Sequence, residues 1–243
     1  MNTLLLMLLI SLSMFIGTII VFFVDNKKEK MLGNLLGFSC GIIIALLVFD
    51  IFSEIIEELN LLWLVILAIA GYFISKSLDK LVPSHETHSH GKKAKKENLM
   101  HVGIITFIGI MLHNITEGIA LFTILEHNTS IFMPFVIGIV IHNIPLGIAL
   151  ASPMYYSTNN KKKTLLYTLF AVLSTLIGGI VGLLFTDLFV KFNLPIYILG
   201  ITAGMMSYVV IDELLPTARK YNKKFIYAVI LGILAMFLIS FLW

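Results

Sequence analysis

The sequence predicts an all-α integral membrane protein whose eight transmembrane helices form one bundle, with an internal inverted repeat around the fourth and fifth helices. Of the 243 residues, 58% are hydrophobic and 13% are charged, whereas about 25% are charged in an ordinary soluble domain. The apolar residues lie in long runs, and a helix needs about 20 of them to cross a bilayer. No strand-like alternation dominates, which disfavours a β-barrel. We therefore predict a single transmembrane domain over residues 1–243.

Eight runs are long and apolar enough to span a membrane, or nearly so. They cover residues 3–24, 31–56, 61–74, 102–125, 131–154, 164–185, 194–215 and 225–242. The third run is short, but its helix could continue to residue 81. We predict that the first run is a retained helix and not a signal peptide, because no basic residue precedes it and its length suffices to span.

The distribution of positive charge supports this division of the chain. All of the 17 lysines and arginines except Lys191 fall in the odd-numbered loops. Cytoplasmic loops carry the excess of basic residues, so the odd loops are predicted to be cytoplasmic and both termini extracellular. The prediction is a multi-pass protein of the cell (plasma) membrane. Its lysines contact lipid headgroups, and nucleic acid is not expected as a partner.

The third loop is the only long one, and we predict that residues 82–99 form a flexible cytoplasmic segment rich in His and Lys. It carries three histidines within six residues: His85, His88 and His90. They suit either a loose metal contact or a solvated linker, and a tight site is not expected because nothing orders the loop. The lone cysteine, Cys40, excludes an intrachain disulfide and a Cys-rich zinc site.

Ionisable side chains inside the apolar runs are the main candidates for function, because placing them in a bilayer is costly. Those near the middle of a run are His113, Glu117 and His142. Those nearer a membrane surface are Asp50 and Glu54 at the outer end of the second run, and Asp212 and Glu213 at the inner end of the seventh. His101 and His127 are expected at the interfaces.

A motif is repeated in the fourth and fifth helices. Residues 113–121 read HNITEGIAL and residues 142–150 read HNIPLGIAL, so seven of nine positions match at a separation of 29 residues. Consecutive membrane helices run antiparallel, which indicates a local two-fold axis in the membrane plane, a recurring plan in transporters. Gly118 and Gly147 are expected to allow close helix approach.

The spacing of the motif suits a metal ion. His113 and Glu117 are four residues apart and share one helix face, His142 can add a second imidazole, and Asn114 can offer a carbonyl oxygen. Two imidazoles and a carboxylate suit Zn²⁺ or a neighbouring transition metal better than Mg²⁺ or Ca²⁺. A buried His or Asn can instead simply bond another helix, but the duplication of the pair with a glutamate one turn on favours function.

At these residues the chain resembles the ZIP family of metal transporters, closest to its GufA-like bacterial branch. The motif at residues 113–118 resembles the family's His-Asn-x-Pro-Glu-Gly, and that at 142–147 resembles His-Asn-Ile-Pro-Glu-Gly. Residues 37–54 and 203–216 resemble the family's second and seventh helices, so the likeness covers nearly the whole chain. It implies eight helices, external termini, a metal-binding third loop and a transport site on helices four and five.

The resemblance also implies roles for individual residues. A first metal position would be lined by His113, Glu117 and His142. A second, which many relatives have, would be lined by Asn114, Glu117 and Asn143. Acids along the pathway would be Asp50 and Glu54 at the entrance, and Asp212 and Glu213 at the exit.

Three residues depart from the family pattern. Thr116 replaces a proline, Leu146 replaces a bridging glutamate, and Thr175 stands where many relatives carry a glutamate. The second position would keep only Glu117 and two amides, which leaves a divalent ion without charge compensation in a low dielectric. We therefore predict one strong metal site and not two.

The leading hypothesis is a transporter that moves a divalent transition metal toward the cytoplasm, with Zn²⁺ as substrate, Fe²⁺, Mn²⁺ or Cd²⁺ as alternatives, and no organic cofactor. The alternative, raised by Leu146 and Thr175, is a protein that binds metal without transport, such as a sensor or partner subunit. An intramembrane metalloenzyme is disfavoured, because Glu117 is needed as a ligand and no second mid-span carboxylate is available as base. A homodimer stays open, since small residues at 178, 179 and 182 permit helix contact.

Overall fold

The computed structural model describes residues 3–24, 29–82, 92–127 and 132–240, and the regular structure within these ranges is helical without a strand. The prediction of an all-α membrane protein is therefore confirmed. The membrane helices are α1 (Thr3–Phe23), α2 (Glu29–Glu58), α3 (Leu61–Asp79), α4 (Lys92–His127), α5 (Phe132–Thr158), α6 (Lys161–Leu184), α7 (Leu194–Tyr221) and α8 (Phe225–Ser240). A short helix, Thr186–Phe192, precedes α7.

Among the described residues, seven helices, α1 to α7, are long and apolar enough to cross a membrane. The apolar part of α8, Phe225–Leu238, is shorter than that. The chain is thus a multi-pass membrane protein, while the count of eight spans and the inverted repeat stay predictions. Helices α3, α4 and α5 continue beyond the apolar runs read from the sequence, because polar residues extend each helix past the hydrocarbon-compatible segment.

Local sequence sets several helix boundaries. The side chain of Asn60 accepts a hydrogen bond from the backbone N–H of Trp63 and caps α3, and Asn160 caps α6 in the same way. Such caps satisfy one of the backbone donors that a helix leaves unpaired at its start. Asn193 has a φ of 48° and connects the short helix Thr186–Phe192 to α7, a left-handed conformation that Asn tolerates better than most residues.

Two helices contain a π-helical turn. In α2 the turn spans Leu46–Ile51, and in α7 it spans Val209–Leu214. These are the turns that carry the membrane acids, Asp50 in the first and Asp212 with Glu213 in the second. A π turn is rare and frequently lies at a functional site, because its extra residue changes which face of the helix the following side chains occupy.

The two motif glycines allow close packing, but against two different helices. A Cβ added to Gly118 of α4 would lie 2.1 Å from the Thr175 carbonyl oxygen of α6. A Cβ added to Gly147 of α5 would lie 2.1 Å from the Met14 carbonyl oxygen of α1. The repeated motif therefore attaches α4 and α5 each to a different supporting helix.

Three glycines of α6 pack against neighbouring helices inside the protein. A Cβ added to Gly178 would lie 2.1 Å from the carbonyl oxygen of Ile115. One added to Gly179 would lie 2.5 Å from the side chain of Met7, and one added to Gly182 would lie 3.3 Å from the Cβ of Phe122. The three glycines are buried, so the helix contacts that they permit lie inside the protein and not on an exposed face, and a homodimer stays a prediction. Periodicity alone does not tell which neighbour a stripe of small residues meets.

A substitution at Gly118 tests this packing. We expect Gly118→Ala to destabilise the protein by about 1–3 kcal/mol, the usual cost of overpacking, because the new methyl group meets backbone that cannot rotate away. Gly182→Ala is the control, since its methyl group would meet a side chain at 3.3 Å. The readout is the thermal unfolding midpoint in detergent, and equal midpoints for the two variants would contradict the close α4–α6 contact.

Candidate metal site

A cavity of about 390 Å³ lies between α2, α4, α5 and α7. It reaches the ends of α2 and α7 at Glu58 and Asn193, which the distribution of lysines assigns to the outer face of the membrane. At its inner end it is lined by His113, Glu117 and His142. A polar group at the bottom of this cavity is therefore connected to one side of the membrane.

The three side chains at the bottom converge. One ligand atom from each of His113, Glu117 and His142 lies within 4.8 Å of the others. His142 Nε2 is 2.7 Å from Glu117 Oε1, and the two imidazole rings have centroids 6.0 Å apart. Tetrahedral zinc with bonds of about 2.1 Å separates its ligand atoms by about 3.4 Å, so small side-chain rotations bring the three donors to bonding distance.

Apart from the close approach of His142 to Glu117, these side chains have no protein partner in the part of the chain that the structure describes. Both ring nitrogens of His113, both carboxylate oxygens of Glu117 and Nε2 of His142 are buried without a hydrogen bond of acceptable geometry. A buried polar group left unpaired costs about 1–3 kcal/mol, and several are aimed at one point here. That arrangement is unfavourable for a purely structural cluster and suits a site whose partner is a cation.

The two asparagines lie behind the wall of the cavity. Asn114 and Asn143 are each 1% exposed, and neither lines the cavity. The Asn114 Nδ2 group donates to the Ala171 carbonyl of α6 at 2.7 Å, which ties α4 to its supporting helix. The Oδ1 atoms of both asparagines have no hydrogen-bond partner.

The three residues that depart from the family pattern are all buried. Leu146 is a fully buried core residue, and Thr175 is buried with its hydroxyl unpartnered. Thr116 lines the cavity, bonds the Leu112 carbonyl within α4 at 3.1 Å and shares a 2.9 Å hydrogen bond with Thr202 of α7. Helix α4 stays continuous through Thr116, because a threonine keeps the backbone N–H that a proline removes.

The outer acids of α2 line the same cavity. Asp50 and Glu54 face it, and so does Glu58, which the sequence reasoning missed. Glu58 lies past the end of the second apolar run at residue 56, where a charged residue reads as a solvated helix end. Its spacing of four residues from Glu54 is the signal that places it on the same face.

A second group of ligand atoms lies toward the inner ends of the helices. Asp79 of α3, His101 of α4 and Glu213 of α7 bring ligand atoms within 4.8 Å of one another, and His101 Nε2 is 2.7 Å from Asp79 Oδ1. The sequence reasoning placed His101 at the interface and did not select Asp79. Asp212 is exposed and accepts a hydrogen bond from the Tyr72 hydroxyl at 2.5 Å, so the two adjacent acids of α7 have different neighbours.

The loop histidines, His85, His88 and His90, lie outside the described residues, and their metal contact stays a prediction. The side chain of His127 also lies outside them.

Comparison with known proteins gives relatives along nearly the whole chain. A sequence profile described as ZIP Zinc transporter matches residues 75–240. The chain is 36% identical to a protein named Zinc transporter ZupT from Clostridium perfringens, over 96% of this chain and 92% of that protein. It is 37% identical to one of the same name from Streptococcus mutans, over 94% and 92%. A third, from Oceanobacillus iheyensis, is 33% identical over 91% and 90%.

The profile covers more than half of the chain, and the relatives match both in identity and in length. The resemblance read from the two His-Asn motifs is thereby confirmed, and a GufA-like bacterial branch is consistent with these matches. The chain belongs to the ZIP zinc transporter family.

Proposed function

We propose that this protein carries Zn²⁺ across the plasma membrane toward the cytoplasm through a mid-membrane site made by His113, Glu117 and His142. The observation that supports it is the convergence of three buried side chains, whose ligand atoms lie within 4.8 Å of one another and have no hydrogen bond of acceptable geometry, at the bottom of a cavity that reaches one side of the membrane. Relatives named as zinc transporters support the same substrate.

The ligand set explains why a transition metal is the cargo. Two imidazole nitrogens and one carboxylate oxygen suit Zn²⁺, and the remaining coordination positions stay open to water or a further ligand. Glu117 supplies negative charge where water is scarce. An incompletely closed coordination shell also lets the ion leave, which transport requires and a structural zinc site does not.

The path follows the charged groups. The ion enters at Glu58, loses water along the acids of α2, and binds at the bottom of the cavity. It then passes the inner cluster of Asp79, His101 and Glu213 to reach the cytoplasm. The lysine-rich odd loops support this orientation, with both termini extracellular.

The alternative, a protein that binds metal but does not transport it, is not favoured. It rested on Leu146 and Thr175, yet the chain aligns along more than nine tenths of its length with relatives named transporters. A single cation remains the expected cargo of the mid-membrane site, since Leu146 adds hydrophobic core and no charge. In the transport assay, Fe²⁺, Mn²⁺ and Cd²⁺ are added as competitors of zinc.

Removal of the site carboxylate tests the proposal. We expect Glu117→Gln to lower zinc uptake into proteoliposomes by at least about 100-fold, since loss of supporting groups alone costs 10–100-fold at metal sites. Uptake is followed with a zinc-sensitive dye trapped inside. Glu57→Gln, an exposed α2 residue that does not line the cavity, is the control and should transport normally. Wild-type uptake by the Glu117 variant would refute the site.

The number of ions tests the role of Leu146. We expect anomalous diffraction from zinc-soaked crystals to show one ion among His113, Glu117 and His142, because the second position lacks charge compensation. Leu146→Glu should add a neighbouring second ion by restoring a carboxylate on α5. A second ion already present there in the wild type would contradict the explanation.

A further inference from the structure

Three carboxylates lie along one wall of the cavity. Asp50, Glu54 and Glu58 of α2 all line it at a spacing of four residues, which is a rise of about 6 Å per step on a helix. Glu58 lies at the outer end of α2, and Asp50 lies closest in sequence to the middle of the helix. The three acids therefore occupy successive depths between the outer surface and the metal site.

Asp50 differs from the acids above it in its surroundings. Its Oδ2 atom is buried and has no hydrogen-bond partner. The carboxylate lies outside the group of ligand atoms within 4.8 Å of one another, and it interacts electrostatically with His142. Glu54 is exposed and interacts electrostatically with other acids, Asp50 among them. Asp50 therefore interacts with the imidazole of His142, whereas Glu54 interacts with neighbouring acids.

The backbone of α2 explains why Asp50 occupies this place. It lies in the π turn Leu46–Ile51, and the Ser53 hydroxyl bonds the Val48 carbonyl five residues back, at 3.4 Å. The extra residue of a π turn rotates the next part of the helix by about 100° relative to an unbroken α-helix. Such turns frequently lie at functional sites.

Charge balance supplies the reason for a further carboxylate. Zn²⁺ bound by two neutral imidazoles and Glu117 keeps a net charge of +1 in a region of low dielectric, where an uncompensated charge is costly. Leu146, which stands where relatives carry a glutamate, is 1% exposed and provides no charge. His113 is 5% exposed, lines the same cavity and has both ring nitrogens unpartnered, which independently points to a cation there.

We propose that Asp50 supplies the second carboxylate of the mid-membrane site and coordinates the zinc ion together with His113, Glu117 and His142. The inference rests on the proposed function and changes the role of Asp50 from an entrance acid to a ligand. It also has a mechanical consequence, because the ion is then held by α2 as well as by α4 and α5. Release toward the cytoplasm requires the bond to Asp50 to break.

The test compares two acids of α2. Asp50→Asn removes the charge and keeps the size, and Glu57→Gln is the control, an exposed residue of the same helix that does not line the cavity. Zinc affinity is measured in detergent by competition with a dye. We expect Asp50→Asn to weaken binding by at least about 30-fold and to raise the KM for uptake, while Glu57→Gln changes affinity less than about 3-fold.

A spectroscopic measurement and a rescue separate ligation from structure. Co²⁺ bound in place of zinc should have a changed visible absorption spectrum in Asp50→Asn and an unchanged one in Glu57→Gln, because only the first substitution alters the coordination shell. The double variant Asp50→Asn with Leu146→Glu should recover most of the affinity, since it returns the lost charge from α5. Elution profile and thermal midpoint establish that each variant is folded.

The outcomes distinguish this inference from the proposed function. Equal affinity and an unchanged cobalt spectrum in Asp50→Asn, with binding lost in Glu117→Gln, would overturn the role of Asp50 and leave the transport site standing. Binding retained in both variants would overturn the site itself.

Discussion

The proposed function depends on one electrostatic constraint, which is that a doubly charged ion must be held where water is scarce. The candidate ligands are His113, Glu117 and His142, whose ligand atoms lie within 4.8 Å of one another and have no hydrogen bonds of acceptable geometry. Buried groups without hydrogen bonds are unfavourable in the absence of an ion. In the proposed site, a bound cation recovers that free energy, so groups that destabilise the helix bundle would provide affinity for the substrate.

Such a site needs rigid support, and the glycines of the two motifs provide it. Gly118 brings α4 against α6, and Gly147 brings α5 against α1, in both cases to direct backbone contact. Asn114 adds a hydrogen bond from α4 to the Ala171 carbonyl of α6. In a membrane, close packing and hydrogen bonds of this kind replace the hydrophobic force that holds helices together in water. Each ligand-bearing helix is therefore fixed by a partner that carries no ligand.

The π turns place the remaining charges. Asp50 faces the outer cavity from α2, while Glu213 joins Asp79 and His101 toward the inner ends of the helices. Asp50 and Glu213 both lie in six-residue π segments, Leu46–Ile51 and Val209–Leu214 respectively. A π turn thus occurs on each side of the proposed site, in the two helices that flank it. The adjacent Asp212 is bound by Tyr72 instead, which leaves Glu213 as the acid of α7 that joins the inner cluster.

The sequence by itself determined the membrane class and the helix order, and it selected His113, Glu117 and His142, whose side chains converge in the structure. Long apolar runs have no other stable form in lipid than a helix, and the four-residue spacing of His113 and Glu117 fixes their common face. The tertiary structure alone decided which helices meet. It assigned Gly178 to an internal contact, placed Asn114 and Asn143 behind the cavity wall, and joined Asp79, His101 and Glu213, which are up to 134 residues apart in the chain. The physical reason is that hydropathy and periodicity report the environment of a residue, whereas partners across a bundle depend on packing and on π turns that no local pattern marks.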